Sequence, residues 1–384
     1  MYMVCFLFIL FLVRQEKGNL YVIDISSPKY KPVKVQFITN DNQSLEVSKL
    51  ISRNLGVIGY FDVVKEGADV SVETVKTPSG FKFTGYFSGE EFFKVELKSD
   101  DFKAVADTFS NYIIKKISGL ETDIFGRKVF ILSNLDGKKE IYQTSFISDT
   151  FEKVVSAKSF IPNFSVSPSG NKIAYTHYDG RNYRLYIADL SSKKIFSPVV
   201  RDGMFISPSF FSDDRIVLAW NSGSGSNIYL FDIVARSLSK ITSGNADVSA
   251  KVMPDGKRLI VVSGKGGLPQ IYLKDLNGKD ERLPLSGRYN SSPDISPDGK
   301  RIAFTKLEGS RFNIYIYDLE TKTEKPLVVD FGSSENPSWS RDGNFILFAS
   351  NRDGDYDIYI TDRFGNFIRK VFDTAKDEFQ AVFR

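Results

Sequence analysis

A single cysteine, Cys5, and a single histidine, His177, stand in a chain of 384 residues. One thiol cannot close a disulfide within the chain, and no Cys/His cluster with zinc spacing exists. One histidine leaves little for a nucleophile–base–acid triad, and His177 reads as a surface or turn residue at the end of a strand. No Gly-x-Ser-x-Gly elbow occurs; Ser222-Gly-Ser-Gly-Ser226 is a polar hairpin loop. Walker and dinucleotide glycine motifs are missing as well. There is no Lys/Arg stripe: the formal net charge is +4 with both signs interspersed, which gives nucleic-acid binding no support. Asp353-Gly-Asp-Tyr-Asp357 looks like the start of a calcium loop, but the required Gly and distal Glu are not at the right offsets, so it reads as a hairpin turn. Neither a metal, a cofactor nor a small-molecule substrate is expected.

The N-terminal apolar run, Met3 to Val13, is shorter than the roughly 20 residues that span a bilayer. It suits the h-region of a secretory signal, although no Lys or Arg precedes it and no small-x-small cleavage site is obvious before Asn19. Residues 1–18 are read as that signal, with a buried N-terminal strand as the alternative. Cys5 lies inside the run, so the mature chain would carry no thiol, as suits an oxidising compartment. Too little sequence precedes Cys5 for lipid attachment there.

What the chain has is a period. An aliphatic-Tyr pair recurs at Ile141-Tyr142, Leu185-Tyr186, Ile228-Tyr229, Ile271-Tyr272, Ile314-Tyr315 and Ile358-Tyr359. The tyrosines are 44, 43, 43, 43 and 44 residues apart. In phase with them run the turns Ser167-Pro-Ser-Gly170, Met253-Pro-Asp-Gly256, Ser296-Pro-Asp-Gly299 and Ser340-Arg-Asp-Gly343, with a degenerate copy at Phe211-Ser-Asp-Asp-Arg215. Pro presets the first corner, Asp bonds its own backbone and Gly takes the strained position. Strand-prone residues follow each turn, and each repeat divides into four short strands. In the fifth these are 292–296, 301–305, 313–319 and 324–328. Four strands per repeat of this length predict a six-bladed β-propeller, without the Gly-His and Trp-Asp marks of WD blades. The first repeat begins at its second strand, and the chain ends on Glu378-Phe-Gln-Ala-Val-Phe-Arg384. The C-terminus is therefore expected to supply the missing inner strand and remove the open edge.

Before the repeats, residues 19–120 read as a small α/β domain. Strands are expected at 20–25, 32–37, 60–64, 69–73, 81–87 and 92–97. A helix is expected over 45–55, stopped by Gly56, and another over 100–118, stopped by Gly119. The fold class is thus mainly β: a small α/β domain followed by a six-bladed propeller over 121–384, expected as a monomer.

The loops that enter each innermost strand should meet at one mouth of the central channel. Ile161, Met204, Phe205, Tyr289 and Phe379 are large apolar residues there, where loops are usually polar. With Asn245, Asp247, Asn290, Glu335 and Asn336 as a polar rim, they form a candidate docking site. The competing reading has the apolar residues plug the channel or pack beneath the loops. Trp339 and the six repeated tyrosines read as core.

Ser296-Pro-Asp-Gly-Lys-Arg-Ile-Ala-Phe304 with Ile314-Tyr-Ile-Tyr-Asp318, Leu50-Ile-Ser-Arg-Asn-Leu-Gly-Val-Ile-Gly-Tyr-Phe-Asp-Val63 and Leu120-Glu-Thr-Asp-Ile-Phe-Gly-Arg-Lys-Val-Phe130 resemble the TolB family of the Tol-Pal cell-envelope system, over roughly residues 20 to 384. The resemblance implies a non-enzymatic periplasmic scaffold. It implies binding of a Pal-like lipoprotein at the channel mouth and of a TolA-like inner-membrane protein through the N-terminal region, in support of outer-membrane integrity and constriction at division. It also implies that an N-terminal segment, here Asn19, Leu20, Tyr21 and Val22 onward to Ser26, switches between ordered and free forms. Two alternatives stay open: a general periplasmic adaptor with another partner, and a lyase or hydrolase acting in the channel.

Overall fold

The structure is a computed structural model. It describes residues 30–384, apart from 157, 158, 200, 277–279, 330 and 373, together with the backbone of 14–16 and 19–21. Asn19–Tyr21 pairs antiparallel with Arg14–Glu16. The remainder of the expected signal, Val22 and the side chains of Asn19, Leu20 and Tyr21 lie outside the described residues. Among the described residues, no helix is long and apolar enough to cross a membrane. The chain forms two compact units: one up to Gly126 that includes Asn366–Arg369, and one of Arg127–Gly365 with Lys370–Arg384.

The first unit is a five-stranded sheet in the order Phe61–Val63, Val33–Thr39, Val70–Thr77, Gly80–Phe87, Glu90–Leu97. The first two pairings are parallel and the others antiparallel. Helix α1 (Asn42–Val57) starts earlier than its apolar stripe suggests, because Asp41 caps it by accepting the Ser44 N–H at 2.8 Å. It also runs through Gly56, which proves to be an ordinary residue of the last turn. Helix α2 (Phe102–Ser118) is capped by Asp101, which accepts from the Ala104 N–H at 3.0 Å. Gly119 ends it at φ 74°, a left-handed conformation that costs glycine nothing. Val47, Ile51 and Leu55 of α1 and Val105, Phe109, Ile113 and Ile117 of α2 are buried. Between the helices, Asn54 Nδ2 donates to Asp107 Oδ1 and to Ser110 Oγ, each at 3.1 Å, so this buried polar group is satisfied.

The second unit is six four-stranded antiparallel sheets. Each blade runs inner strand, turn, second strand, hairpin, third strand, fourth strand; in the fifth these are Asn290–Ile295, Arg301–Glu308, Arg311–Asp318 and Thr323–Val328. The turn glycines are required by their left-handed backbone. Gly299 and Gly343 have φ of 69° and 70°. A Cβ on either would sit 3.4 Å from the proline of the preceding blade's turn, Pro254 or Pro297. In blade three, where the glycine is lost, Asp213 instead accepts the Ser169 N–H of the neighbouring turn at 3.0 Å.

Ring closure is built from the two ends of this unit. Glu378–Phe383 pairs antiparallel with Lys128–Ser133 as the inner strand of blade one. Gln380 then bridges to blade two: its Oε1 accepts the Phe164 N–H at 3.4 Å and its Nε2 donates to the Phe164 carbonyl at 3.1 Å. Comparable links tie other neighbours. Ser165 Oγ accepts from the Phe210 N–H at 3.1 Å, and Asp294 Oδ2 from the Trp339 N–H at 2.7 Å.

The repeated tyrosines are buried or half-buried, and side chains of the adjoining strand or hairpin cover their rings. His177 stacks on Tyr186 at 4.3 Å, Trp220 meets Tyr229 at 5.1 Å, and the amines of Lys265 and Lys306 lie 4.1 Å from Tyr272 and Tyr315. His177 thus belongs to a strand, Lys172–Tyr178, and is half-buried. Trp339 is buried.

Candidate docking site at the channel mouth

The innermost strands enclose a channel of about 610 Å³. Five of them descend from the mouth to one of the repeated turns, and the sixth, Glu378–Phe383, leads to Arg384. Just inside the mouth most of them carry an irregularity: the register shifts between Ile206 and Ser209, Asp247 and Ser249, Ser291 and Asp294, Glu335 and Ser338, and Glu378 and Gln380. Three of these bulges hold a left-handed residue directly before a proline: Ser207 (φ 50°), Ser292 (φ 46°) and Asn336 (φ 53°). The proline has no N–H to leave unpaired, and the bulge turns the preceding side chain toward the channel.

The ten residues expected at the mouth divide by burial. Tyr289, Glu335 and Asn336 line the channel. Met204 and Asn245 are exposed, and Phe379 is half-buried. Ile161, Phe205, Asp247 and Asn290 are buried, and their side chains offer a partner nothing. Strand pairing begins at Met204, so alternation turns Met204 outward and Phe205 into the blade core, where it stacks on Trp220 with ring centroids 5.8 Å apart. Ile161 packs in the core shared by blades one and two. Asp247 accepts from the Thr242 hydroxyl. Asn290 donates to Gln270 Oε1 at 3.0 Å and to the Ser286 carbonyl at 3.1 Å. These two act as loop anchors.

Three of the expected residues meet at the junction of blades six and one. Tyr356 donates its hydroxyl to Glu335 Oε1 at 2.7 Å, and Asn336 Nδ2 donates to the Phe379 carbonyl at 3.0 Å. The Lys139 amine sits 3.7 Å from the Phe379 ring and 4.8 Å from the Phe160 ring. Burial there pulls the Lys139 pKa down, while Asp377 and Glu335 pull it back up. Burial first, then the bond to Glu335, holds the Tyr356 hydroxyl well above its usual range.

Lys139, Phe160, Leu268 and Phe331 are mouth residues that sequence reasoning did not single out. Phe331 is 79% exposed and Phe160 52%. Both lie in the loops that enter an innermost strand, where no strand alternation marks which side chain faces solvent. Leu268 and Lys139 stand on hairpins between second and third strands, which open on the same face.

This arrangement suits binding more than chemistry. Two side-chain carboxylates line the channel, those of Asp294 and Glu335. Asp294 is held by Lys251 and the Trp339 N–H, and Glu335 by Tyr356. Among the described residues no group of three or more His, Cys, Asp or Glu side chains could hold a metal ion.

Comparison with known proteins fits this geometry. Residues 122–377 match the family model described as PD40, the TolB beta propeller domain. A "Protein TolB homolog" of Chlorobium luteolum is 28% identical over 163 residues, covering 42% of this chain and 37% of the relative. One of Chlorobium chlorochromatii is 32% identical over 158 residues, covering 41% and 36%. The chain thus spans little more than a third of the length of these curated relatives. Among solved structures, TolB from Acinetobacter baumannii superposes with a TM-score of 0.79 at 21% identity, covering 92% of this chain and 96% of that one. Hydrazine synthase of Kuenenia stuttgartiensis superposes with a TM-score of 0.57 at 13% identity, over 67% of this chain and 46% of the other. The matched family model spans about two thirds of the chain and all of the propeller up to its closing strand, and on that ground the protein belongs to the TolB β-propeller family.

Proposed function

We propose that this protein is a periplasmic scaffold of the Tol-Pal type, acting in outer-membrane integrity and constriction at cell division. It works by binding partners and not as an enzyme. The observation that carries this reading is the mouth of the channel. Exposed Phe331, Phe160 and Met204 surround an opening lined by Tyr289, Glu335 and Asn336. Exposed apolar side chains around a polar opening give the mixed composition of a protein-docking surface. The partner at this surface is a Pal-like lipoprotein. A TolA-like inner-membrane protein engages the segment from Asn19 through Val22.

Titration calorimetry of the exported chain against the soluble Pal domain of the same organism tests the first contact. Specific binding is expected, weakened on the order of tenfold or more by Phe331→Ala or Tyr289→Ala, as for aromatic anchors at an interface centre. A folded protein that ignores Pal would overturn the assignment and leave a periplasmic adaptor with another partner. Deleting residues 19–26 should alter TolA binding and leave the melting of the propeller unchanged. Collapse of the propeller on deletion would count against the switch.

A further inference from the structure

At the end of the channel away from the mouth, the repeated turns place Pro168, Ser212, Pro254, Pro297 and Arg341 at the same second position. One repeat beyond Arg341 lies Arg384, at the end of the strand that closes the ring. Its place is equivalent in space as well as in sequence. Gly299 and Gly343 pack against the second residue of the preceding turn, and Gly170 packs against Arg384 Cβ in the same way, 3.7 Å from where its own Cβ would be. Where neighbouring blades present proline, the closure therefore presents two adjacent arginines. Both line the channel, as do Pro254 and Pro297.

Neither guanidinium pairs with a side-chain carboxylate among the described residues, and the α-carboxylate of Arg384 offsets one of the two charges in part. The Arg384 guanidinium donates to the carbonyls of Val166, Ser167 and Phe383 at 2.8 to 3.3 Å, which satisfies hydrogen bonds and leaves the charge. Arg341 is exposed and forms no ion pair among the described residues. Burial lowers the Arg384 pKa, Asp294 opposes this, and repulsion from Arg341 adds to it. Asp294 is itself committed to Lys251 at 2.5 Å. A third cation thus takes up the side-chain carboxylate that acts on Arg384. Two guanidiniums facing a confined channel concentrate positive potential, and their planar forks match the oxygens of a carboxylate or phosphate.

We propose that Arg341 and Arg384 form an anion site at the turn-side end of the channel, one that takes an oxyanion group, carboxylate or phosphate. The site is separate from the mouth and does not depend on the identity of the partner bound there.

The full exported chain is titrated by calorimetry with inorganic phosphate and, separately, with malonate, at constant ionic strength against a chloride control. Saturable binding is expected, with affinity falling on the order of tenfold in Arg341→Ala, the scale of one lost charge-assisted contact. Arg341→Pro provides a second variant, carrying the residue that the equivalent turns already hold, so folding is secured independently. Tighter binding of phosphate marks a phosphoryl ligand, and tighter binding of malonate marks a carboxylate; either supports the site. Neither anion saturating above chloride, or both variants binding as the parent does, would overturn it.

Discussion

Glu378, the first residue of the closing strand, is fully buried, and burial raises its carboxyl from an ordinary 4.5 to about 8. Asp357, Asp355 and Asp377 add to the effect, and the Thr374 hydroxyl opposes it. Between those two pH values the folded chain holds a proton that the unfolded chain has released. Stability therefore falls as pH rises through that window and is level on either side. Glu378→Gln should flatten this part of the stability curve and melt higher than the parent above pH 8; melting temperatures from pH 4 to 9 decide it, and parallel curves would show that folding leaves the Glu378 pKa unchanged. Phe205 and Phe331 make a second contrast at this scale. Phe205→Ala opens a cavity in a blade core and should cost about 3–5 kcal/mol. Phe331→Ala removes an exposed ring and should stay within about 0.5 kcal/mol. Urea midpoints separate the two. The sequence shows both as large apolar residues in loop-like stretches. Which one points inward depends on the residue at which pairing starts, since a slip of one flips every face.

At the scale of the element, the residue before each aliphatic-Tyr pair has a role that its neighbours in sequence do not announce. These residues are Glu140, Arg184, Asn227, Gln270, Asn313 and Asp357. All are polar, and all but Arg184 are buried. Several reach forward to the loop that delivers the chain to the next inner strand. Asn227 Nδ2 donates to Asn245 Oδ1 at 3.1 Å, Gln270 accepts from Asn290 at 3.0 Å, and Arg184 donates to the Arg201 carbonyl at 3.4 Å. The position couples one blade's third strand to the next blade's mouth loop. Gln270→Leu should cost about 1–3 kcal/mol, the penalty of an abandoned buried donor on Asn290. It should also speed amide exchange over residues 286–290, and unchanged exchange would remove the anchoring role. The tyrosines that follow were legible as core, because an aliphatic-aromatic pair at a fixed period has few other uses. The polar residue ahead of them carried a period but no visible partner.

At the scale of the whole molecule, the propeller is a ring whose last strand is its first blade's inner strand. A chain lacking residues 378–384 should expose the edge of Lys128–Ser133, strand groups that are otherwise paired and almost wholly buried. Association is expected on size-exclusion chromatography, with a lowered melting temperature. A truncated chain that stays monomeric and melts as the parent does would mean that closure contributes little. This closure was legible from a first repeat that starts one strand late and a chain that ends on a strand-like run.

The sequence by itself determined the number of blades, the place of each turn and the existence of the two helices, because periodicity and turn chemistry act over a few residues. Only the tertiary structure decided which mouth residues face outward, which carboxyl keeps its proton, and that Arg341 and Arg384 are neighbours. Those properties depend on strand parity, on burial, and on bringing the last residue of the chain beside blades that it follows by hundreds of positions.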